Sequence, residues 1–312
     1  EATIFHTIEW NKILTDIFDV NNKTLIARID GSPAGMYIFY SFKKHRYLKM
    51  CISPTYMFES VYGGPITVDK SSIIIKRLLK ESERRGSGLV YSVQTPPRYD
   101  VKPFSETGYK ITTLYTSILN LQKNEEHLWN GLDKKTRNMV RKSLKCLVDI
   151  VEADKAFITD YYAMIKETFT KACITNILPQ RFYSAVVEYL KPKNMVKMLF
   201  AEYENKFIAG AIFLCFNDTV YYWHGASHRD YLPMAPNNLI LWEIIKWAND
   251  EGYKYFDLVR IEPDRLPGIA KFKLGWGGDT VEFYHATKIK RGFKLLKSIY
   301  LNIKRNNASH YF

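Results

Sequence analysis

Residues 196–216 read VKMLFAEYENKFIAGAIFLCF. An apolar run, a short polar turn, Ala-Gly and a second apolar run spell a β-hairpin. The same layout stands at 23–40, KTLIARIDGSPAGMYIFY, where Gly35 takes the place that Gly210 takes in the later segment. Working outward, each hairpin is followed by a helix pattern. The first is SSIIIKRLLKESERRG (71–86), with a serine N-cap and Gly86 expected past its end. The second is PNNLILWEIIKWANDEG (236–252), with asparagines expected as caps and Gly252 past its end; it is apolar nearly all round, which predicts burial. Each helix leads into a strand, GLVYSVQT (88–95) and YKYFDLVR (253–260). Each strand then runs into a proline loop, PPRYDVKP (96–103) and IEPDRLP (261–267). Each loop reaches a Phe followed by Gly-aromatic: Phe104 with Gly108-Tyr109, and Phe272 with Gly275-Trp276. The shared order predicts two copies of one α/β unit, each a mixed sheet with helices packed on it. The halves are expected at 1–122 and 123–287, joined near LQKNEEHLW (121–129), with a basic C-terminal helix over 288–312 packing on the first half.

The composition suits a large folded core: 312 residues, 46% hydrophobic and 15% aromatic. Net charge is +13, with a pI near 9.3. Such an excess points to a polyanionic partner: nucleic acid, a phosphorylated substrate or an anionic membrane surface. Cys51, Cys146, Cys173 and Cys215 form no CxxC pair and read as free thiols of a reducing compartment, so the sequons at Asn22, Asn217 and Asn307 carry no weight. The longest apolar run, 208–216, falls far short of the roughly 20 residues of a membrane span. A cytoplasmic location, with peripheral contact on the inner membrane face, is the expectation.

The charge is clustered. In DKKTRNMVRKSLK (133–145), Trp129, Leu132, Met139, Val140, Leu144 and Leu147 recur at helical spacing, while Lys134, Lys135, Arg137, Arg141, Lys142 and Lys145 meet no acid between Asp133 and Asp149. A solvated helix mixes charge signs; this one fits phosphate contacts. The tail KIKRGFKLLKSIYLNIKRN (288–306) joins an apolar stripe to a basic face, which suits either an anionic membrane or packing on the core. His224 and His228 of WHGASH lack the glutamate and helix of a zinc-protease motif, so no metal is expected, and His224 reads as a pocket residue. No P-loop, GxGxxG or GxSxG occurs, and RRGSGL (84–89) reads as a helix end entering a strand. Asp257, in the apolar run YFDLV, needs a partner, for which a nearby lysine or arginine is the natural choice. Lys271 and Lys273 of GIAKFKLGWGG (268–278) are the nearest candidates. Read as an extended segment, that stretch is expected to place Lys271 and Lys273 on opposite faces, with Phe272 toward the core and Lys273 toward a cleft. The pair is either a structural ion pair or a cation held to stabilise developing negative charge.

APNNLILWEIIKWANDEGYKYFDLVRI…GIAKFKLGWGG, with VYGGPI (61–66) and LWNGLDKKTRNMVRKSLK (128–145), resembles the Fem family of peptidyltransferases and, more broadly, tandem acetyltransferase-like (GNAT-like) proteins. The resemblance implies two GNAT-like subdomains in the compact form, without a coiled-coil arm. It implies transfer of an amino acid from aminoacyl-tRNA to an amine of a cell-wall peptide precursor, free or lipid-linked, by a monomer that needs no cofactor. The family's motif lysine falls on Lys273, with Asp257 orienting it. Arg137, Arg141 and Lys142 would hold phosphates, and Trp223 and His224 would line an acceptor cleft. Tyr62, Gly63, Gly64, Asn238, Arg260 and Lys271 complete the expected substrate-binding set. The acyl-CoA signature Q/R-x-x-G-x-G/A is missing from both halves, where the second has MAPNN. An acyl-CoA-dependent N-acyltransferase and a non-catalytic polyanion-binding protein on the same fold remain the alternatives.

Overall fold

The computed structural model describes residues 2–44, 48–171 and 177–290. Cys173, Asn307 and the tail from 291 onward lie outside the described residues, and so does the expected packing of a C-terminal helix. In chain order the first half runs α1 (Ile8–Ile17), β1 (Asn21–Asn22), β2 (Leu25–Ile29), β3 (Ser32–Tyr37), β4 (Tyr40–Lys44), β5 (Leu48–Ile52), β6 (Ile66–Thr67), α2 (Ser72–Gly86), β7 (Val90–Gln94), α3 (Lys102–Glu106) and β8 (Lys110–Asn120). The second half runs α4 (Glu125–Gly131), α5 (Lys134–Lys145), β9 (Asp149–Glu152), α6 (Ile158–Lys171), α7 (Gln180–Leu190), β10 (Val196–Tyr203), β11 (Lys206–Phe216), β12 (Thr219–Ser227), α8 (Pro236–Asp250), β13 (Tyr255–Ile261), α9 (Pro267–Leu274) and β14 (Asp279–Ile289).

The repeat read from the sequence is present. Both hairpins form, β2 with β3 and β10 with β11. Each turns through two consecutive residues with positive φ, Asp30-Gly31 and Glu204-Asn205, the signature of a turn whose twist matches that of the strands. Gly35 faces Ala27 and Gly210 faces Phe200, each on the second strand of its hairpin. The strands then pair in one scheme in both units. β4 is antiparallel to β5, β5 parallel to β7, and β7 antiparallel to β14. Likewise β11 is antiparallel to β12, β12 parallel to β13, and β13 antiparallel to β8. The parallel step is made by α2 in one unit and α8 in the other, as a crossover requires. Closing strands are exchanged between the halves: β14, which follows α9, completes the unit of β7, while β8, which follows α3, completes the unit of β13. One compact unit therefore comprises residues 2–5, 18–113 and 283–290, and the other 6–17 and 114–282.

In the first unit Ile74, Ile75, Leu78 and Leu79 of α2 pack with Tyr37, Phe39, Tyr91 and Val93. In the second, α8 is buried along Leu239, Ile240, Leu241, Ile244, Ile245 and Ala248, as its unbroken apolar character predicts. Local details differ from the sequence reading. Gly86 closes α2 from inside, and Ser87 (φ 51) takes the left-handed position. Ala235 (φ 57), not an asparagine, precedes α8, with Pro236 in its first turn; Asn237 bonds the Ser227 hydroxyl at 3.2 Å instead.

The largest correction is at 267–274, expected as an extended stretch and found as helix α9. Pro267 pre-sets the first turn, and Ala270 and Lys273, one turn apart, form the buried side. The matching segment of the first half, α3, is also a short helix opened by a proline. The GWGG turn after α9 is a packing device. The Asp133 amide donates to the Gly275 carbonyl at 3.0 Å, and at Gly277 (φ 75) an added Cβ would collide with the carbonyl oxygen of Gly131. Gly252 has a similar φ of 80 but open space around it. Gly277→Ala should therefore cost about 3 kcal/mol or more, and Gly252→Ala about 1–2 kcal/mol, the left-handed penalty alone. Thermal unfolding of the two variants measures the difference, and equal losses would contradict this packing.

Candidate active site

The chemistry of the second unit gathers where two parallel strands part. The ladder between β12 and β13 runs only from Thr219↔Tyr255 to Tyr221↔Asp257, although the strands continue to Ser227 and Ile261. Just past that point β13 carries an extra residue against β8, between Asp257 and Arg260. Val259 sits there at φ 50. A β-branched residue in this region is strained and stays only where its surroundings hold it. Asp257 does the holding: its Oδ1 accepts from the Val259 amide at 2.7 Å and from the Thr116 hydroxyl at 2.5 Å. The buried carboxylate thus has partners, as its place in an apolar strand required, and one of them is the backbone of the bulge.

Lys273 reaches into the opening from α9. Its Nζ donates to the Arg260 carbonyl on β13 at 2.9 Å and lies 5.9 Å from the centre of the Tyr222 ring on β12. It is 8% exposed. Burial lowers its pKa to about 8; the charges of Asp257 and Glu262 oppose that shift, and Arg260 adds to it. The ammonium therefore persists at neutral pH in a poorly solvated place, where its field acts strongly. One lysine turns inward and the other outward, but only because the segment is helical: residues two apart share one face of a strand, so the extended reading could not have separated them, whereas two positions along a helix differ by about 200°. The expectation that Phe272 is the core residue does not. Lys273 takes the buried position, while Phe272 is partly buried against Tyr222 and Trp276.

Next to this lysine, His224 is buried, with its Nδ1 2.9 Å from the Tyr161 hydroxyl and its Nε2 3.5 Å from that of Tyr183. Burial first, then the Lys273 charge, pushes its pKa down to about 4, so the ring is neutral at physiological pH. Trp223 is 7% exposed and packs against Trp10, Phe182 and Tyr183. Both residues belong to an aromatic interior, not to an open wall. Arg260 pairs with Glu262 at 2.7 Å. Asn238 lies half-buried in the first turn of α8. Lys271 is exposed, beside a hollow of about 350 Å³ lined by Asp133, Pro263, Pro267, Ala270, Leu274 and Gly275.

On α5, Arg137 donates to the carbonyls of Asn130 (3.0 Å) and Leu132, which ties it to the end of α4. Arg141 lies 5.2 Å from the Trp129 ring, and Lys142 is exposed. In the first unit the equivalent opening, past Ile52↔Ser92, is closed by backbone. The Gly63 amide donates to the Gln94 carbonyl at 2.6 Å and the Gly64 amide to Ser53 Oγ at 2.7 Å. Tyr62 is fully buried edge-on to Phe5 and Phe283. Tyr62, Gly63 and Gly64 thus sit in one unit and the lysine in the other. Sequence reading missed Val259, Thr116, Tyr161, Tyr183 and Tyr222. Nothing in the run DLVR signals a bulge, and the tyrosines meet the histidine only across 41 to 63 residues of chain.

Comparison with known proteins agrees with this architecture. Residues 134–274 match the acetyltransferase (GNAT) domain model. The lipid II:glycine glycyltransferase of Staphylococcus haemolyticus is 30% identical over 94 residues, which are 28% of this chain and 22% of that protein. The crystal structure of FemX superposes with a TM-score of 0.75 at 13% identity, covering 94% of each chain. A tandem GNAT protein from the clavulanic acid biosynthesis pathway gives 0.51 at 9% identity, covering 86% of this chain and 83% of its own. Two repeated units with a parallel step and a strand opening define a tandem GNAT-fold protein. Within that class the chain is similar to FemX in fold, and over a partial stretch to the lipid II:glycine glycyltransferases in sequence.

The buried ammonium has a thermodynamic signature. Its pKa is about 8 when folded against 10.5 for the free side chain. Between those values the unfolded chain binds more protons, so this group's contribution to stability rises with pH across the window. Lys273→Met should then unfold at the same temperature as the parent or higher at pH 7, and the parent should gain on the variant from pH 8 to 10. Thermal scans across that range check the sign, and a variant clearly less stable at pH 7 would show the ammonium to be a net stabiliser.

Proposed function

We propose that the chain is a Fem-type acyltransferase that moves an amino acid from aminoacyl-tRNA to an amine of a peptidoglycan-type peptide precursor. The observation that carries the reading is the Lys273 ammonium, held between two parted strands of a GNAT-fold unit. The named glycyltransferase relative supports the choice of group transferred, and the net charge of +13 suits two phosphorylated substrates.

The donor ester is already activated, so the protein must position, handle a proton and stabilise charge. The acceptor amine attacks the ester carbonyl and its electrons pass to the carbonyl oxygen. The C–O bond to the ribose breaks as the carbonyl re-forms, and the proton lost by the amine ends on the ribose hydroxyl. Lys273 stabilises the oxyanion of the tetrahedral intermediate. Asp257 and Glu262 favour its charged form, and the Arg260 carbonyl directs the Nζ. Asp257 therefore positions the lysine chiefly by shaping the bulge and by charge. His224, neutral at working pH, adds no competing cation. Arg141 and Lys142 are available for phosphates, whereas Arg137 is engaged with α4.

An acyl-CoA donor is tested in the same experiment: purified protein is offered glycyl-tRNA or acyl-CoA with a lysine-containing precursor peptide, and labelled product is counted. Transfer from the tRNA alone is the expected result. Transfer from acyl-CoA alone selects the alternative, and none from either favours the binding module. Lys273→Met should lower kcat by roughly 100-fold, the scale of one lost oxyanion donor, with the fold intact. Lys271→Met should act mainly on KM, since Lys271 is on the opposite side of α9. Equal loss of kcat in both would remove Lys273 from the chemical step.

A further inference from the structure

Helix α5 turns Thr136, Val140 and Ser143 inward. Its outer side carries Lys134, Lys135, Arg141, Lys142 and Lys145, all exposed, and among the described residues none of these is in an ion pair. Asp133, the acid at its start, is occupied as the N-cap, accepting from the Thr136 amide at 2.5 Å. The other end of the helix is unusual. Leu144 is 53% exposed and Leu147 79% exposed. The helix closes with the Leu147 amide on the Leu144 carbonyl at 3.0 Å and the Val148 amide on the Ser143 carbonyl at 3.3 Å. In this motif the residue after the C-cap is left-handed and is usually glycine; here it is Leu147, at φ 56. A leucine is strained in that conformation, and no burial within the fold compensates it. The half-buried indole of Trp129, against which Arg141 lies, flanks the same face.

We propose that the C-terminal end of α5 is a docking edge for an anionic lipid bilayer. Leu144 and Leu147 enter the boundary between headgroups and acyl chains, Arg141, Lys142 and Lys145 meet lipid phosphates, and Trp129 lies at the interface, where an amphipathic ring is favoured. Charge complementarity selects this partner, and the leucines separate it from RNA. An RNA backbone would use the same cations but gains affinity from stacking on aromatic faces, not from aliphatic chains standing in water. The proposal does not depend on the transferase reading.

Co-sedimentation of the full chain with vesicles tests it. One set contains about one phosphatidylglycerol in four lipids, the other only phosphatidylcholine, both at about 0.15 M salt. The double variant Leu144→Ser, Leu147→Gly keeps the net charge, and glycine relieves the left-handed position, so its thermal stability serves as the folding control. It should lower partitioning onto the anionic vesicles about tenfold. Lys142→Glu with Lys145→Glu should abolish the preference for anionic over neutral vesicles. A leucine variant that binds anionic vesicles as the parent does would overturn the proposal. So would a parent that binds both vesicle types alike, or one whose α5 cations matter for a single-stranded RNA probe and not for vesicles.

Discussion

A lysine ammonium with 8% exposure has lost most of its hydration, and the second unit is arranged around that constraint. A charge removed from water must be met by dipoles or opposite charge. The Arg260 carbonyl supplies the dipole, and Asp257 and Glu262 supply the charge. Each of these depends on a less favourable local feature. The bulge that accompanies Arg260 holds Val259 at φ 50, and that strain is sustained by Asp257 and Thr116. The angle at which Lys273 arrives depends on α9, whose end is pinned by the GWGG turn against the junction of α4 and α5. Strain, a buried carboxylate and a glycine run, unrelated along the chain, share one cause in space.

The comparison between the two units shows how a repeat becomes asymmetric in the groups it buries. Both have a parallel step that ends early and leaves an opening beyond it. In the first, the amides of Gly63 and Gly64 and the ring of Tyr62 fill it, and its polar groups are bonded internally. In the second, a charged side chain fills it, which a substrate's developing charge could use. The same topology therefore yields a packed joint in one copy and a candidate reaction centre in the other. Fold alone does not distinguish them; the side chain that occupies the opening does.

Charge has a different logic at the surface. On α5 the cations other than Arg137 are exposed and, among the described residues, in no ion pair, so each contributes little to folding. Arg137 is the exception, because its guanidinium reaches back to the carbonyls at the end of α4. One helix thus holds a structural arginine beside solvated lysines of the same sign.

How much of this was legible in the sequence follows from the range of the interactions involved. The hairpins, the two principal helices, the repeat and the basic helix were readable because each rests on local periodicity or turn chemistry: alternating apolar runs around Asp30-Gly31 and Glu204-Asn205, and the unbroken apolar character of α8. Lys273 stood out as a cation in an apolar setting for the same local reason. The α9 helix was less legible, since a short segment of mixed residues has no decisive period and takes its form from packing. The exchange of β8 and β14 between units, the bulge at Val259 and the meeting of Tyr161, Tyr183 and His224 lay beyond the sequence altogether. Strand pairing joins residues far apart in the chain, and burial, which lowers Lys273 to about 8 and His224 to about 4, is a property of the assembled surroundings. The amino-acid order determined which elements form and which residues carry charge; only the tertiary structure decided which of those charges lost its water, because desolvation is a collective effect of everything packed around it.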